Sequence, residues 1–138
     1  MFDITKAAVE ETAKLKLTDA NGSPLTGDKG KPCSITLNGP GSTAFAQAEA
    51  ARQNRLLERA RKGKKEFLTA DEQRIEQAEF LASVTVSFDN FGYPPAGDAT
   101  GKELFKALYL DRKLGFVTDQ VQRFVGDWGN FTGSSATS

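Results

Sequence analysis

The chain has 138 residues, 38% of them hydrophobic and 26% charged, and its 18 basic residues balance its 18 acidic ones. Such a composition is ordinary for one globular domain, and the balanced charge excludes an overall basic field that would recruit nucleic acid or an anionic membrane. No stretch approaches the roughly 20 apolar residues of a membrane span, so we expect a cytoplasmic protein.

The N-terminal third predicts a β-hairpin. Apolar and polar residues alternate over residues 14–18 and again over 32–38, and the loop between them is rich in Gly, Pro, Asn and Asp. A hairpin is marginal in water by itself, so its apolar face needs helices to pack on. That face carries Leu15, Leu17, Ile35 and Leu37. Residues 1–12 leave two readings open, a short helix capped by Asp3 or Thr5, or mobile chain.

A long helix is predicted directly after the second strand. Ser42 is a good N-cap, and the helix should run to about Lys62 and stop at Gly63. Its apolar side is thin, so we expect much of it to project into solvent or to meet a partner. The glycine-containing runs at 27–32 and 39–42 match neither the P-loop nor the dinucleotide fingerprint. A simple strand-to-helix turn is therefore favoured over an anion site at Ser42.

Three further helices complete the pattern. Thr69 and Glu72 form a predicted capping box, and the helix they open should bury Ile75, Ala78, Leu81 and Ala82. We expect it to end near Val84 and to continue as extended chain. Residues 84–88 alternate between apolar and polar and could be a short strand or the end of the helix. A second predicted box, Thr100 with Glu103, opens a helix that ends by Gly115. The last helix carries a regular apolar stripe of Val117, Val121, Phe124, Trp128 and Phe131.

The predicted fold is therefore α+β and mainly α, with a short N-terminal hairpin packed on a bundle of three to four helices. Residues 1–132 should form a single domain, and residues 133–138, which are small and polar, a disordered tail.

The residue types leave little room for catalysis. Histidine is absent and cysteine occurs once, at Cys33. This excludes Ser-His and Cys-His catalysis, His-bearing metal sites, Cys-only metal clusters and an internal disulfide. Chemistry by carboxylate, lysine or magnesium stays open. However, four aspartates in the second half of the chain show no spacing typical of metal ligands. These acids are Asp89, Asp98, Asp111 and Asp119. We predict no catalytic residue, no metal and no cofactor.

Two groups of residues are candidates for binding a partner. The first is the arginines of the long helix, Arg52, Arg55 and Arg59, the last of which begins a basic run to Glu66. No aromatic residue interleaves with this run, which disfavours single-stranded nucleic acid as its ligand. The second group is Trp128 and Phe131, which lie beside Gly126 and Gly129 at the end of the last helix. They could be core residues or anchors for a partner.

The chain order resembles a known family. Asp19, Gly22 and Pro24 make a turn before a short strand, and "GPGS" at 39–42 opens a helix rich in Ala, Gln and Arg. With "LTADEQRIEQAEFLASVTVSFDNFG" and the closing "TDQVQRFVGDWGNF", this is similar to the tail assembly chaperones of long-tailed, siphophage-type bacteriophages and prophages. The resemblance spans roughly residues 14–131. The family leads us to expect a tryptophan near residues 86–88, where this chain has Val86-Ser87-Phe88; Phe88 can fill a similar volume.

The resemblance implies a non-catalytic role in virion morphogenesis. Such chaperones bind the tape-measure protein in the host bacterial cytoplasm, keep it soluble and help the tail-tube protein polymerise around it. They are absent from the mature virion, and a longer frameshifted product is often made. Self-association is left open. Two alternatives stay open as well, a structural head–tail connector and a nucleic-acid-binding adaptor that uses the arginines of the long helix with Arg61 and Lys62.

Overall fold

The two alternating segments of the N-terminal third form neighbouring strands of a β-sheet. In a computed structural model, which describes residues 1–63 and 68–133, they are β1 (Thr12–Lys16) and β2 (Ser34–Asn38). The strands are antiparallel, with Leu15 opposite Ile35. The four apolar side chains predicted for the hairpin face are all buried, which confirms the hairpin and its register. They are Leu15, Leu17, Ile35 and Leu37.

The sheet has a third strand, which was one of the two alternatives that the sequence left open for residues 84–88. The helix α2 (Ala70–Val84) ends where expected and is followed at once by β3 (Thr85–Asp89). β3 pairs antiparallel with β2, so that the strand order is β1-β2-β3 and Phe88 lies opposite Ile35. The Phe88 ring packs at a centroid distance of 4.8 Å from both Phe91 and Phe105. Phe88 thus contributes aromatic volume at the position where the family resemblance predicts tryptophan.

The other helices are α1 (Thr43–Arg61), α3 (Gly101–Tyr109) and α4 (Gly115–Val125). Ser42 caps α1, and Thr69 and Glu72 form the reciprocal capping box of α2, both as predicted. The second predicted box is wrong, because the Thr100 side chain makes no capping hydrogen bond among the described residues. Its neighbour Gly101 has a φ of +59°, and we attribute the missing cap to this left-handed entry into the helix. Asp3 caps a single 3₁₀ turn, Ile4–Ala7, before the sheet.

One hydrophobic core lies between the sheet and the helices. It joins Ile35 and Leu37 of the sheet to Leu81 of α2 and Val121 of α4. The sole fully buried side chain of α1, whose residues are all described, is that of Ala48. Ile75, which we predicted in the buried stripe of α2, is instead 47% exposed. At this level α1 presents Arg55 and Arg59 to α2, which pair with Glu76 and Glu72 and leave Ile75 uncovered.

The last apolar stripe is divided between two elements. α4 ends at Val125, and the chain continues through Gly126 into a 3₁₀ turn, Trp128–Phe131, capped by the Asp127 side chain. The prediction of one helix through Phe131 is therefore wrong, while the predicted burial of Val117, Val121 and Phe124 is confirmed. The predicted tail falls almost wholly on residues 134–138, which lie outside the described residues. No described helix combines the length and the apolarity that a membrane span requires.

Candidate partner-binding surfaces

The junction between β2 and α1 is a packing site. The Ser42 hydroxyl donates a 2.7 Å hydrogen bond to the Gly39 carbonyl and accepts one of 3.1 Å from the Phe45 backbone N–H. A methyl group at Gly39 would lie only 2.6 and 2.7 Å from Cε2 and Cγ of Phe131. The Phe131 ring therefore occupies the space that a side chain at position 39 would need. Glycine is required here for this close approach rather than to cradle an anion.

The two aromatic residues predicted as partner anchors have different environments. Phe131 is completely buried and makes an edge contact with Phe124, with ring centroids 5.4 Å apart. Because its side chain is fully inside the core, Phe131 is not available as a surface anchor, and that part of the prediction is corrected. Trp128 is 56% exposed and lies beside Gly41. Its role as an anchor stays a prediction. The contact that buries Phe131 comes from a glycine about ninety positions earlier, which no local pattern reveals.

Two of the predicted arginines join α1 to α2. The Nε of Arg55 donates to both carboxylate oxygens of Glu76 at 2.9 and 3.1 Å. The guanidinium of Arg59 donates to both oxygens of Glu72 at 2.6 and 3.0 Å. Arg55 precedes Arg59 on α1, whereas its partner Glu76 follows Glu72 on α2. The two helices are therefore antiparallel. Arg55 and Arg59 are thus committed within the chain and hold the helical hairpin closed.

Arg52 supports the same interface through an aromatic ring. Its guanidinium carbon lies 4.2 Å from the centroid of the Phe80 ring, and Phe45 makes an edge contact with Phe80 at 5.4 Å. Such a cation–π contact contributes roughly 0.5–2 kcal/mol, depending on how far it is desolvated. The packing of α1 on α2 therefore changes along its length, from aromatic near the sheet to ionic farther away.

Glu72 is the electrostatic centre of the ionic part. Its carboxylate accepts hydrogen bonds from the Thr69 backbone N–H at 2.8 Å and from Arg59. The backbone hydrogen bond first, and the Arg59 guanidinium second, lower the pKa of Glu72 to about 2. Glu72 is therefore ionised at every pH at which the protein is expected to work.

Beyond the ion pairs, an open apolar groove lies between α1 and α2. It has a volume of about 320 Å³, and its apolar lining comes from Leu56 of α1, Ile75 of α2 and Leu68, which precedes α2. Leu56 is 37% exposed and Ile75 47%, and Leu57, the next residue of α1, is 62% exposed. We call this set, Leu56, Leu68 and Ile75, the hairpin groove. Leu57 is not part of its lining, because consecutive helical residues face different directions. Sequence reasoning missed the groove, because Leu56 and Ile75 meet only when α1 and α2 pack together.

The basic run after Arg59 is partly described. Arg61 lies 3.3 Å from Glu58, and Lys62 forms the exposed C-cap of α1; residues 64–67 lie outside the described residues. Within the part of the chain that is described, the acidic residues form no cluster with the composition of a metal site. Asp89 accepts from Thr36 and Asp111 from Tyr93, both at 2.7 Å. The hairpin groove, which is lined by apolar and charged side chains, has the chemistry to bind apolar and charged groups.

No protein-family model, no curated protein and no solved structure matches this chain.

Proposed function

We propose that this protein is a non-catalytic tail assembly chaperone of a long-tailed bacteriophage. It binds the tape-measure protein in the host cytoplasm, keeps it soluble and promotes polymerisation of the tail-tube protein around it. The support from sequence is the family resemblance over roughly residues 14–131. The one structural observation that carries the proposal is the hairpin groove, an apolar surface held open on a helix pair.

The groove suits a partner that is long and helical. A groove between two helices accepts the apolar face of a third helix, whose anchors recur at i, i+3 or i+4, and i+7. α1 contributes Ala48 to the core and leaves Leu56 and Leu57 in water. A contiguous exposed apolar surface marks an interaction site, and this one favours binding of an apolar segment. A chaperone needs such a surface to cover the apolar residues of an unassembled client.

The groove also suits reversible binding. Its walls are held by the ion pairs Arg55–Glu76 and Arg59–Glu72, so that it is formed before the partner arrives. Pre-formed sites avoid the entropy of ordering on binding. Three apolar side chains form a small contact, and small interfaces belong to weak, transient complexes. Release of the client when the tail tube assembles requires a contact of this kind.

Co-purification with a tape-measure protein tests the proposal. The chain is co-expressed with the tape-measure gene of the same genome and captured by a tag, as wild type, as Ile75→Ser and as Val86→Ser. Ile75 in the groove and Val86 on β3 are both 47% exposed, so Val86 serves as the matched apolar control away from the groove. We expect wild type and Val86→Ser to retain the tape-measure protein and Ile75→Ser to lose most of it at unchanged thermal stability.

Four results would contradict the proposal. The tape-measure protein is not retained by wild type, or Ile75→Ser retains as much of it as wild type does. The protein is found by mass spectrometry in purified virions, which identifies a connector. Double-stranded DNA is shifted on a gel in a salt-dependent manner that depends on Arg61 and Lys62, which identifies an adaptor.

A further inference from the structure

The acidic groups around the hairpin groove are already occupied. Glu72 and Glu76 accept from Arg59 and Arg55, as described above, and Glu58 accepts from Arg61 at 3.3 Å. Each of these three carboxylates therefore has an arginine partner within the chain, and an incoming cation would have to displace it.

Lys62 is the uncommitted charge of the groove. Three basic and three acidic side chains line it, and Arg61, which lies outside the lining, pairs with Glu58, so that the basic groups exceed the acidic ones by one when Arg61 is counted. Lys62 lines the groove, is exposed and has no ion pair among the described residues. The Nε of Arg59 is buried and donates no hydrogen bond in the same part of the chain. The groove thus has spare donors and positive charge, and its acceptors are used.

We propose that the hairpin groove binds an acidic amphipathic helix of the partner. Apolar side chains of that helix enter the groove beside Leu56 and Ile75, and Asp or Glu side chains one turn away reach Lys62 and the exposed guanidinium of Arg61. This inference rests on the proposed function, because it names the chemistry of the client segment. Within a tape-measure protein, the hairpin groove should prefer helical stretches whose apolar stripe is flanked by acidic residues over stretches flanked by lysines.

A second copy of the chain is the competing occupant. Its exposed apolar residues include Phe2 and Ile4, with Asp3 between them. However, the Asp3 carboxylate already accepts from the backbone N–H and the hydroxyl of Thr5, at 3.0 and 2.7 Å. The 3₁₀ turn that follows has four residues, too few for anchors at i, i+4 and i+7. Two copies that faced each other groove to groove would bring their excess positive charges together.

Designed peptides provide the test. The first probe is an 18-residue fluorescent helix with leucines at i, i+3, i+4 and i+7 and glutamates on both flanks. The second replaces every glutamate by lysine, and the third replaces every leucine by alanine. Fluorescence anisotropy with the full chain should show that the first binds at least tenfold more tightly than either of the others. Raising the salt from 50 to 500 mM should weaken its binding, because exposed charges are screened.

Variants connect this preference to the groove. Lys62→Glu should reduce the affinity for the glutamate peptide at least fivefold and raise that for the lysine peptide. Ile75→Ser should weaken both, and Val86→Ser neither. Circular dichroism melts of each variant show whether the fold is kept; because Lys62 is exposed, Lys62→Glu should melt within about 2 °C of wild type.

Several outcomes would overturn the inference. One is equal affinity for the glutamate and lysine peptides, and another is unchanged binding by Lys62→Glu. A third is a dimer in sedimentation velocity that both Phe2→Ser and Ile75→Ser abolish, which identifies a second copy as the occupant. If the glutamate preference holds and the tape-measure protein is not retained, the proposed function fails and the chemistry of the groove stands. If the tape-measure protein is retained and the peptides show no charge preference, the proposed function stands and this inference fails.

Discussion

Replacing Gly39 by alanine tests the packing between the strand-to-helix junction and the C-terminal turn. The added methyl group would lie 2.6 Å from Cε2 of Phe131, closer than carbon atoms approach without strain. The backbone cannot easily withdraw. Its N–H donates to the Glu11 carbonyl at 2.7 Å, and its carbonyl accepts from Ser42. The Phe131 ring must therefore move, although it is fully buried against Phe124.

The cost follows from two limits. If the core absorbs the methyl group by small shifts, overpacking costs about 1–3 kcal/mol. If the ring is expelled, the loss approaches the 3–5 kcal/mol of a Phe→Ala change in a core. We expect Gly39→Ala to lower the free energy of unfolding by about 3 kcal/mol, which corresponds to a fall in Tm of roughly 10 °C for a chain of this size.

Urea unfolding of Gly39→Ala, Phe131→Ala and the double variant measures this effect. Phe131→Ala removes the ring, so a methyl group at position 39 should then cost less than about 0.5 kcal/mol. Gly115→Ala is the matched control, because that residue has a helical φ of −57° and open space around it. It should be neutral or stabilising by up to about 1 kcal/mol. If the effects of Gly39→Ala and Phe131→Ala are additive, the ring is not what excludes the side chain, and our reasoning is wrong.

Three further predictions concern other parts of the molecule. Because the folded-state pKa of Glu72, about 2, is below the ordinary 4.5, its stabilisation is complete above pH 4.5 and is lost as the pH falls toward 2. The difference in urea midpoint between wild type and Glu72→Gln should therefore shrink over that range. Tyr109→Phe removes the buried 2.7 Å hydrogen bond to the Thr85 hydroxyl and should cost about 1 kcal/mol in urea unfolding. Trp128→Ala should change Tm by less than about 3 °C, because most of the side chain is in water; a larger fall in a calorimetric scan would make Trp128 a structural residue.

Local sequence signals correctly predicted the two N-terminal strands and the starts of α1 and α2. The caps at Ser42 and Thr69, and the alternation around Leu15 and Ile35, each depend on residues within about four positions of one another. The failure at Thr100 is also local, and it comes from the left-handed φ of Gly101, which residue types alone do not specify. The mainly helical α+β class follows from these signals, because each element's own residues favour it.

For the candidate surfaces, the sequence indicated that α1 is too polar to be a core helix and that its arginines share a region. It could not show that Arg55 and Arg59 already have partners, because Glu76 and Glu72 belong to another helix whose placement depends on the whole fold. The hairpin groove likewise depends on how α1 and α2 are placed against each other. Ile75 lies on the apolar side of α2, and its exposure results from what α1 places opposite it.

Only the tertiary structure decided which of two similar apolar side chains is removed from water. Composition and periodicity favour burial of Phe131 and Trp128 equally. However, Gly39 leaves room for the Phe131 ring, while the Trp128 side chain stays mostly in solvent. Similarly, the backbone N–H of Thr18 is bound by the side chain of Gln120 at 3.0 Å, across 102 positions. Periodicity reports which face of an element is apolar, whereas burial depends on which distant element arrives to cover that face.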